Sequence, residues 1–155
     1  MAAADARLVI GWQEWCALPA IGIPAILAKI DTGAKTSALH ALEIKLVEGS
    51  AKQVVSFVVY PFHGDTNIRR ECVAEVMDRR LVMNSGGMRE RRYCIRMPVT
   101  VGEQSWDVDV TLTNREPLLF RMLLGRDALR NRFVIDPAKS MCQGKATKTK
   151  MKRLY

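Results

Sequence analysis

One aspartate is set apart by its neighbours. Asp31 closes the apolar run 25–30 and is followed by Thr32, Gly33 and Ala34. A carboxylate at a strand end can take a proton from water as a general base. A glycine two residues on lets backbone and substrate approach closely and offers its N–H, and the threonine hydroxyl can brace the turn. The tripeptide alone is also what an ordinary turn after a strand looks like. Far downstream, Leu123-Leu124-Gly125-Arg126-Asp127 places two apolar residues and a glycine just before a helix start. That segment reads as core strand, and the pair of segments is more informative than either one.

Other chemistries find less support. The two histidines, His40 and His63, and the four cysteines, Cys16, Cys72, Cys94 and Cys142, form neither His-Glu-x-x-His nor Cys-x-x-Cys, the short ligand spacings that zinc sites use. His40 reads as a polar neighbour of the Asp31 turn. No glycine-rich phosphate loop is present, Gly86-Gly87 being too short. We therefore expect neither metal nor cofactor, and free thiols in a reducing cytoplasm. No apolar run approaches the roughly 18–20 residues that cross a bilayer, and residues 1–7 lack the pattern of a secretory signal. The net charge of +8 comes from 24 Lys+Arg against 16 Asp+Glu. Six of the basic residues lie in 139–155, which holds no acid. Such an excess favours an acidic partner: nucleic acid, ribosome or acidic peptide.

The elements that must carry Asp31 read as strands. With 48% apolar residues, 155 residues suffice for one domain with a core. Short strands are expected at 8–10, 25–30, 42–47, 54–60, 71–83, 118–124 and 133–135, with a hairpin of 93–101 and 105–113 across Gly102-Glu103-Gln104. In its second arm Trp106, Val108, Val110 and Leu112 share a face. Asn84-Ser85-Gly86-Gly87 signals a turn, and 127–132 a short helix. No alternation of strand and helix appears, so the chain predicts an all-β, closed or folded-over architecture. One domain is expected over 7–138, with a flexible basic tail over 139–155.

Together, Ile30-Asp31-Thr32-Gly33-Ala34 and Leu123-Leu124-Gly125-Arg126-Asp127 in an all-β chain resemble the retropepsin-like aspartic peptidases. The stretch Lys29-Ile30-Asp31-Thr32-Gly33-Ala34-Lys35-Thr36-Ser37-Ala38-Leu39-His40-Ala41 is more closely similar to a bacterial family that has carried the label "ATP-dependent zinc protease". That family is better described as retropepsin-like aspartic endopeptidases, whose members are associated with ligases that add glutamates to ribosomal protein. Ser85-Gly86-Gly87 with residues 89–93, residues 110–115, and Arg132-Phe133-Val134-Ile135-Asp136-Pro137 extend the likeness from about residue 11 to 137.

The resemblance implies a retropepsin-like closed β-barrel with a short C-terminal helix. It also implies a cytoplasmic homodimer in which two copies of Asp31 share one proton, because like charges so close cannot both ionise. It places Gly125 behind the active turn, gives Arg126 an acid to pair with in bracing the dimer, and lets Asp127 cap the helix. The tip 84–87 becomes the flap of a hairpin. Lys29 and Lys35 beside Asp31, with Ser85, Gly86, Gly87, Arg89, Arg91 and Arg92 on the flap, become contacts for an acidic or glutamate-extended substrate, such as a modified ribosomal protein. Two features depart from a minimal retropepsin: the longer span between the two segments, and the basic, polar C-terminus where apolar terminal strands would interleave. The competing reading is a non-catalytic module that holds ribosome, nucleic acid or acidic protein through its basic surface.

Overall fold

The order of the strands follows from which runs can bury a face. The computed structural model describes residues 6–49, 51–84, 86–114 and 119–155. In chain order the strands are β1 (Leu8–Ile10), β2 (Gln13–Leu18), β3 (Ile23–Ile30), β4 (Ser37–His40), β5 (Leu42–Leu46), β6 (Val54–Val59), β7 (Arg70–Glu75), β8 (Asp78–Met83), β9 (Arg89–Val101), β10 (Gln104–Thr113), β11 (Met122–Leu124) and β12 (Phe133–Ile135). Two short helices, α1 (Arg126–Leu129) and α2 (Lys148–Lys152), complete the chain, with one 3-10 turn over Pro19–Ile21.

Six strands close into a ring in the order β10-β4-β11-β3-β2-β9, with β9 pairing back onto β10 and β8 added to β9's other edge. Closure leaves those six without a free edge. Along β10, Val108, Val110 and Leu112 point into the barrel and are buried, with Trp106 packed against the same core. From β3 and β11, Ile26, Ala28, Met122 and Leu124 fill the centre. β3 and β11 run parallel, with Ile30 beside Leu124, whereas β11 and β4 run antiparallel. A three-stranded antiparallel sheet, β5-β6-β7, and a parallel pair, β1-β12, pack onto this barrel.

The expected single strand over 71–83 is two strands in two sheets. Val76 donates its N–H to Gln53 O (2.9 Å) beside β6, and the next residue, Met77, donates to Cys94 O (2.8 Å) on β9. The chain changes sheets between those two amides. Of the apolar run 118–124, only Met122–Leu124 is strand, and 115–118 lie outside the described residues.

The segment expected as a flexible tail is instead folded onto the barrel. Trp12 donates to Lys139 O (2.8 Å) and Met141 to Gln13 O (2.9 Å). The carboxylate of Glu14, fully buried, accepts the backbone N–H groups of Gly11 (2.8 Å), Cys142 (2.8 Å) and Gln143 (2.9 Å). A buried carboxyl group is tolerable only with such donors. Trp15 Nε1 donates to Ala146 O (3.0 Å), Lys152 pairs with Asp65 (2.6 Å), and the Tyr155 hydroxyl donates to Ala25 O. Lys139, Lys145, Lys148 and Lys150 are exposed, while backbone and aromatic groups and the Lys152–Asp65 pair tie the segment down, which the charge pattern alone could not show.

The β8-β9 hairpin is anchored by charge. Asp109 on β10 accepts from Arg96 (2.7 Å) and Arg80 (3.0 Å). The hydrogen bond from Arg96, helped by Arg80, holds its carboxyl below the usual range against the opposing effect of partial burial. A group with a depressed folded pKa contributes stability above its unfolded pKa and loses it as pH falls through the folded value. Protection factors of the β8 amides, which correct for the intrinsic pH dependence of exchange, are therefore expected to fall as pH drops below the ordinary carboxylate range. Asp109→Asn should show fast exchange already at neutral pH and lose that dependence.

Candidate active site

The Asp31 turn is laced to the start of α1. β3 delivers Asp31 to its end, where its N–H donates to Leu124 O (2.9 Å). Oδ1 of Asp31 accepts the N–H of Gly33 (3.0 Å), and Ala34 N–H closes the turn onto Asp31 O (3.3 Å). The carbonyls of Ala34 and Lys35 then accept the N–H groups of Arg126 (2.8 Å) and Asp127 (3.0 Å). These are first-turn amides that a helix cannot satisfy itself, so turn and helix complete each other. The Asp31 side chain is half-exposed and makes no ion pair among the described residues.

Gly125 makes the close approach possible. It is buried, and a Cβ there would sit 2.8 Å from Thr36 C and 2.9 Å from Ala34 O and Lys35 O. Its N–H donates to Ser37 Oγ (3.1 Å), and Ser37 O accepts from Thr111 Oγ1 (3.1 Å). Ser37, buried at the start of β4, was given no role from sequence. A serine after Asp-Thr-Gly-Ala-Lys-Thr carries no signal until β4 and β11 are known to be neighbours. Ser37→Ala leaves the Gly125 amide buried without its acceptor. It should destabilise the protein by about 1–3 kcal/mol, measured by thermal or urea unfolding.

Within one chain, Arg126 Nη1 donates to Thr32 O (2.8 Å); the role expected of Asp127 is corrected. Asp127 does not cap α1, whose N-cap is Gly125 without a side-chain hydrogen bond. Asp127 lies inside the first turn, and its carboxylate reaches Arg130 (3.5 Å).

The basic residues divide by position. Lys29, outward on β3, and Lys35, in the turn itself, are exposed beside Asp31, and neither has an acid partner among the described residues. With Arg126 they make the rim of the turn cationic. His40 lies at the far end of β4, roughly 10 Å along the strand from Ser37. It is buried, with Nδ1 3.0 Å from Arg121 Nη1, so it does not line the turn.

The tip of the β8-β9 hairpin is pinned by Asn84, whose Oδ1 accepts from Gly86 (2.9 Å) and Met88 (3.1 Å). Gly87 has φ +78°, which glycine adopts without strain. Ser85 lies outside the described residues. Strand alternation separates the three arginines. Arg92 turns inward to pair with Glu90 and to reach Thr111 Oγ1 (3.5 Å), while Arg89 and Arg91 are exposed on the opposite face. The hairpin thus connects to the turn floor through Arg92, Thr111, Ser37 and Gly125.

Among the described residues, no three His, Cys, Asp or Glu side chains converge as metal ligands. Cys16, Cys72 and Cys94 are buried with thiols pushed up by burial, the latter two to about 11. That disfavours the thiolate that a nucleophile or a ligand needs.

A family model described as "Retropepsin-like aspartic endopeptidase RimB" matches residues 9–146. The chain belongs to that family. The match ends at Ala146, beyond the expected domain end at 138 and at the carbonyl that Trp15 holds. Similar proteins include a "Probable alpha-L-glutamate ligase" of Shewanella halifaxensis (strain HAW-EB4), 40% identical over 151 residues that make up 97% of this chain and 33% of that protein. One of the same name from Desulfotalea psychrophila (strain LSv54 / DSM 12343) is 41% identical over 150 residues, 97% of this chain and 32% of that protein. The chain therefore spans about a third of the length of these relatives. A crystal structure of Lpg0085 from Legionella pneumophila, a protein of unknown function, matches with a TM-score of 0.72 and 26% identity, over 88% of this chain and 98% of that one. No helix among the described residues is long and apolar enough to cross a membrane.

Proposed function

We propose that the chain is an aspartic endopeptidase whose active site forms when a homodimer brings two copies of Asp31 together. The observation that carries this reading is the fixed, half-exposed Asp31 carboxylate, with Gly33 N–H on one oxygen and α1 bracing its turn from behind. In the dimer one carboxylate takes a proton from water as the water attacks the peptide carbonyl. The other, protonated, gives its proton to the carbonyl oxygen. The β8-β9 hairpin would serve as the flap that covers the substrate.

The cationic rim of Lys29, Lys35 and Arg126 supports an acidic peptide as substrate. The relatives' name supports the same class. A ligase that adds glutamate makes glutamate-extended chains, and a peptidase occupying about a third of such a protein is suited to trim them. A modified ribosomal protein in the cytoplasm fits this description.

The test compares cleavage of a glutamate-extended peptide with that of its glutamine counterpart, across salt. The glutamate peptide should be cleaved, with KM rising as salt screens the rim. Lys29→Ser with Lys35→Ser should raise KM roughly tenfold. Equal cleavage of both peptides would remove the acidic specificity, and cleavage of neither would remove the peptidase reading.

A further inference from the structure

Alternation along the β8-β9 hairpin gives it two unlike faces. The inward face carries Arg80 and Arg92, each neutralised: Arg80 by Asp78 (3.2 Å) and Asp109 (3.0 Å), Arg92 by Glu90. On the outward face, the register sets Arg79 opposite Tyr93, Leu81 opposite Arg91 and Met83 opposite Arg89. Here no arginine meets an acid among the described residues. Arg79 lies 4.9 Å over the Tyr93 ring, a cation–π contact rather than an ion pair. Leu81 and Met83 are 57% and 63% exposed. Each cation on this face therefore has an apolar or aromatic side chain directly across from it, and among the described residues no acid pairs with any of the three.

We infer that the outward face of the β8-β9 hairpin docks an acidic protein segment that carries apolar side chains among its acids. Charge complementarity selects an anionic partner. The interleaving selects protein over nucleic acid: a phosphate backbone would use the three arginines and leave Leu81 and Met83 in water, whereas an acidic segment with leucines covers both. Arginine, with its planar and weakly hydrated guanidinium, suits such mixed contacts better than lysine. This face is the side of the proposed flap opposite the one from which Arg92 reaches Thr111 (3.5 Å), so its test reads Arg79, Arg89 and Arg91 and not turnover at Asp31.

The test uses the full chain with Asp31→Asn, so that nothing is cleaved, and reads fluorescence anisotropy. The probes are a fluorescein-labelled peptide of repeating Glu-Glu-Leu-Leu, an all-Glu peptide, and a single-stranded RNA of similar length. The mixed peptide should bind most tightly. Replacing Arg79, Arg89 and Arg91 with Ser should weaken it about tenfold, and Leu81→Ser with Met83→Ser by a similar factor. Circular dichroism checks that each variant remains folded. The inference is overturned if the arginine variant binds as well as its parent, if none of the probes binds, or if RNA binds more tightly than the mixed peptide. It is overturned as well if sedimentation shows a dimer that Leu81→Ser with Met83→Ser dissolves, because a second copy of the chain then covers the face.

Discussion

Asp31→Asn is expected to lower peptide hydrolysis on the order of a thousandfold while moving the melting temperature by no more than about 2 °C. The two effects separate because of where Asp31 sits. Its backbone is held by Leu124 O, and its side chain contributes one fold contact, the 3.0 Å bond from Gly33 N–H. Asparagine keeps an oxygen for that bond and fills nearly the same volume. What it cannot do is share a proton with a second carboxylate. A folded, inactive variant identifies Asp31 as catalytic. A folded, active one returns the chain to the binding-module reading.

Gly125→Ala should cost both stability and activity. The added Cβ meets backbone on three sides, from Ala34, Lys35 and Thr36, so no side chain can rotate away to make room. Overpacking against a rigid turn costs about 2–3 kcal/mol, a fall in melting temperature on the order of 5–10 °C. The atoms that must move are those of the Asp31 turn. A displacement of even part of an ångström there should reduce turnover by as much as a hundredfold in whatever fraction stays folded. Circular dichroism melts and single-turnover assays at a temperature where the variant is folded measure the two losses separately.

The strands that could be read from sequence were those whose burial alternates or whose runs are uniformly apolar, such as β6, β10 and the end of β3. β2 and β4 escaped notice because polar groups interrupt them. Glu14 sits inside β2 to hold Cys142 and Gln143, and Ser37 and His40 begin and end β4 in buried positions. Both strands are ordinary once the polar partners are known, and those partners lie far along the chain. The parallel pairings β3-β11 and β4-β10 bring together residues about 75 to 95 positions apart, and no local pattern encodes them.

For the candidate site, sequence could mark the two segments that meet at the turn, since an aspartate followed by Thr-Gly and a glycine before a helix are local features. The hydrogen bonds that lace them through Ala34, Lys35 and Ser37 depend on the barrel. The inward turn of Arg92 and the outward turn of Arg89 and Arg91 depend on the phase of β9, which one residue of slippage would reverse.

The central claim is that catalysis needs one Asp31 from each of two subunits. Mixing the parent protein with an equal amount of Asp31→Asn under conditions of subunit exchange tests it most directly. If every active site requires two intact copies, activity per total subunit falls to about a quarter of the parent's, because hybrid dimers hold only one. If a single chain suffices, activity falls only to about a half, and the two-subunit account is contradicted.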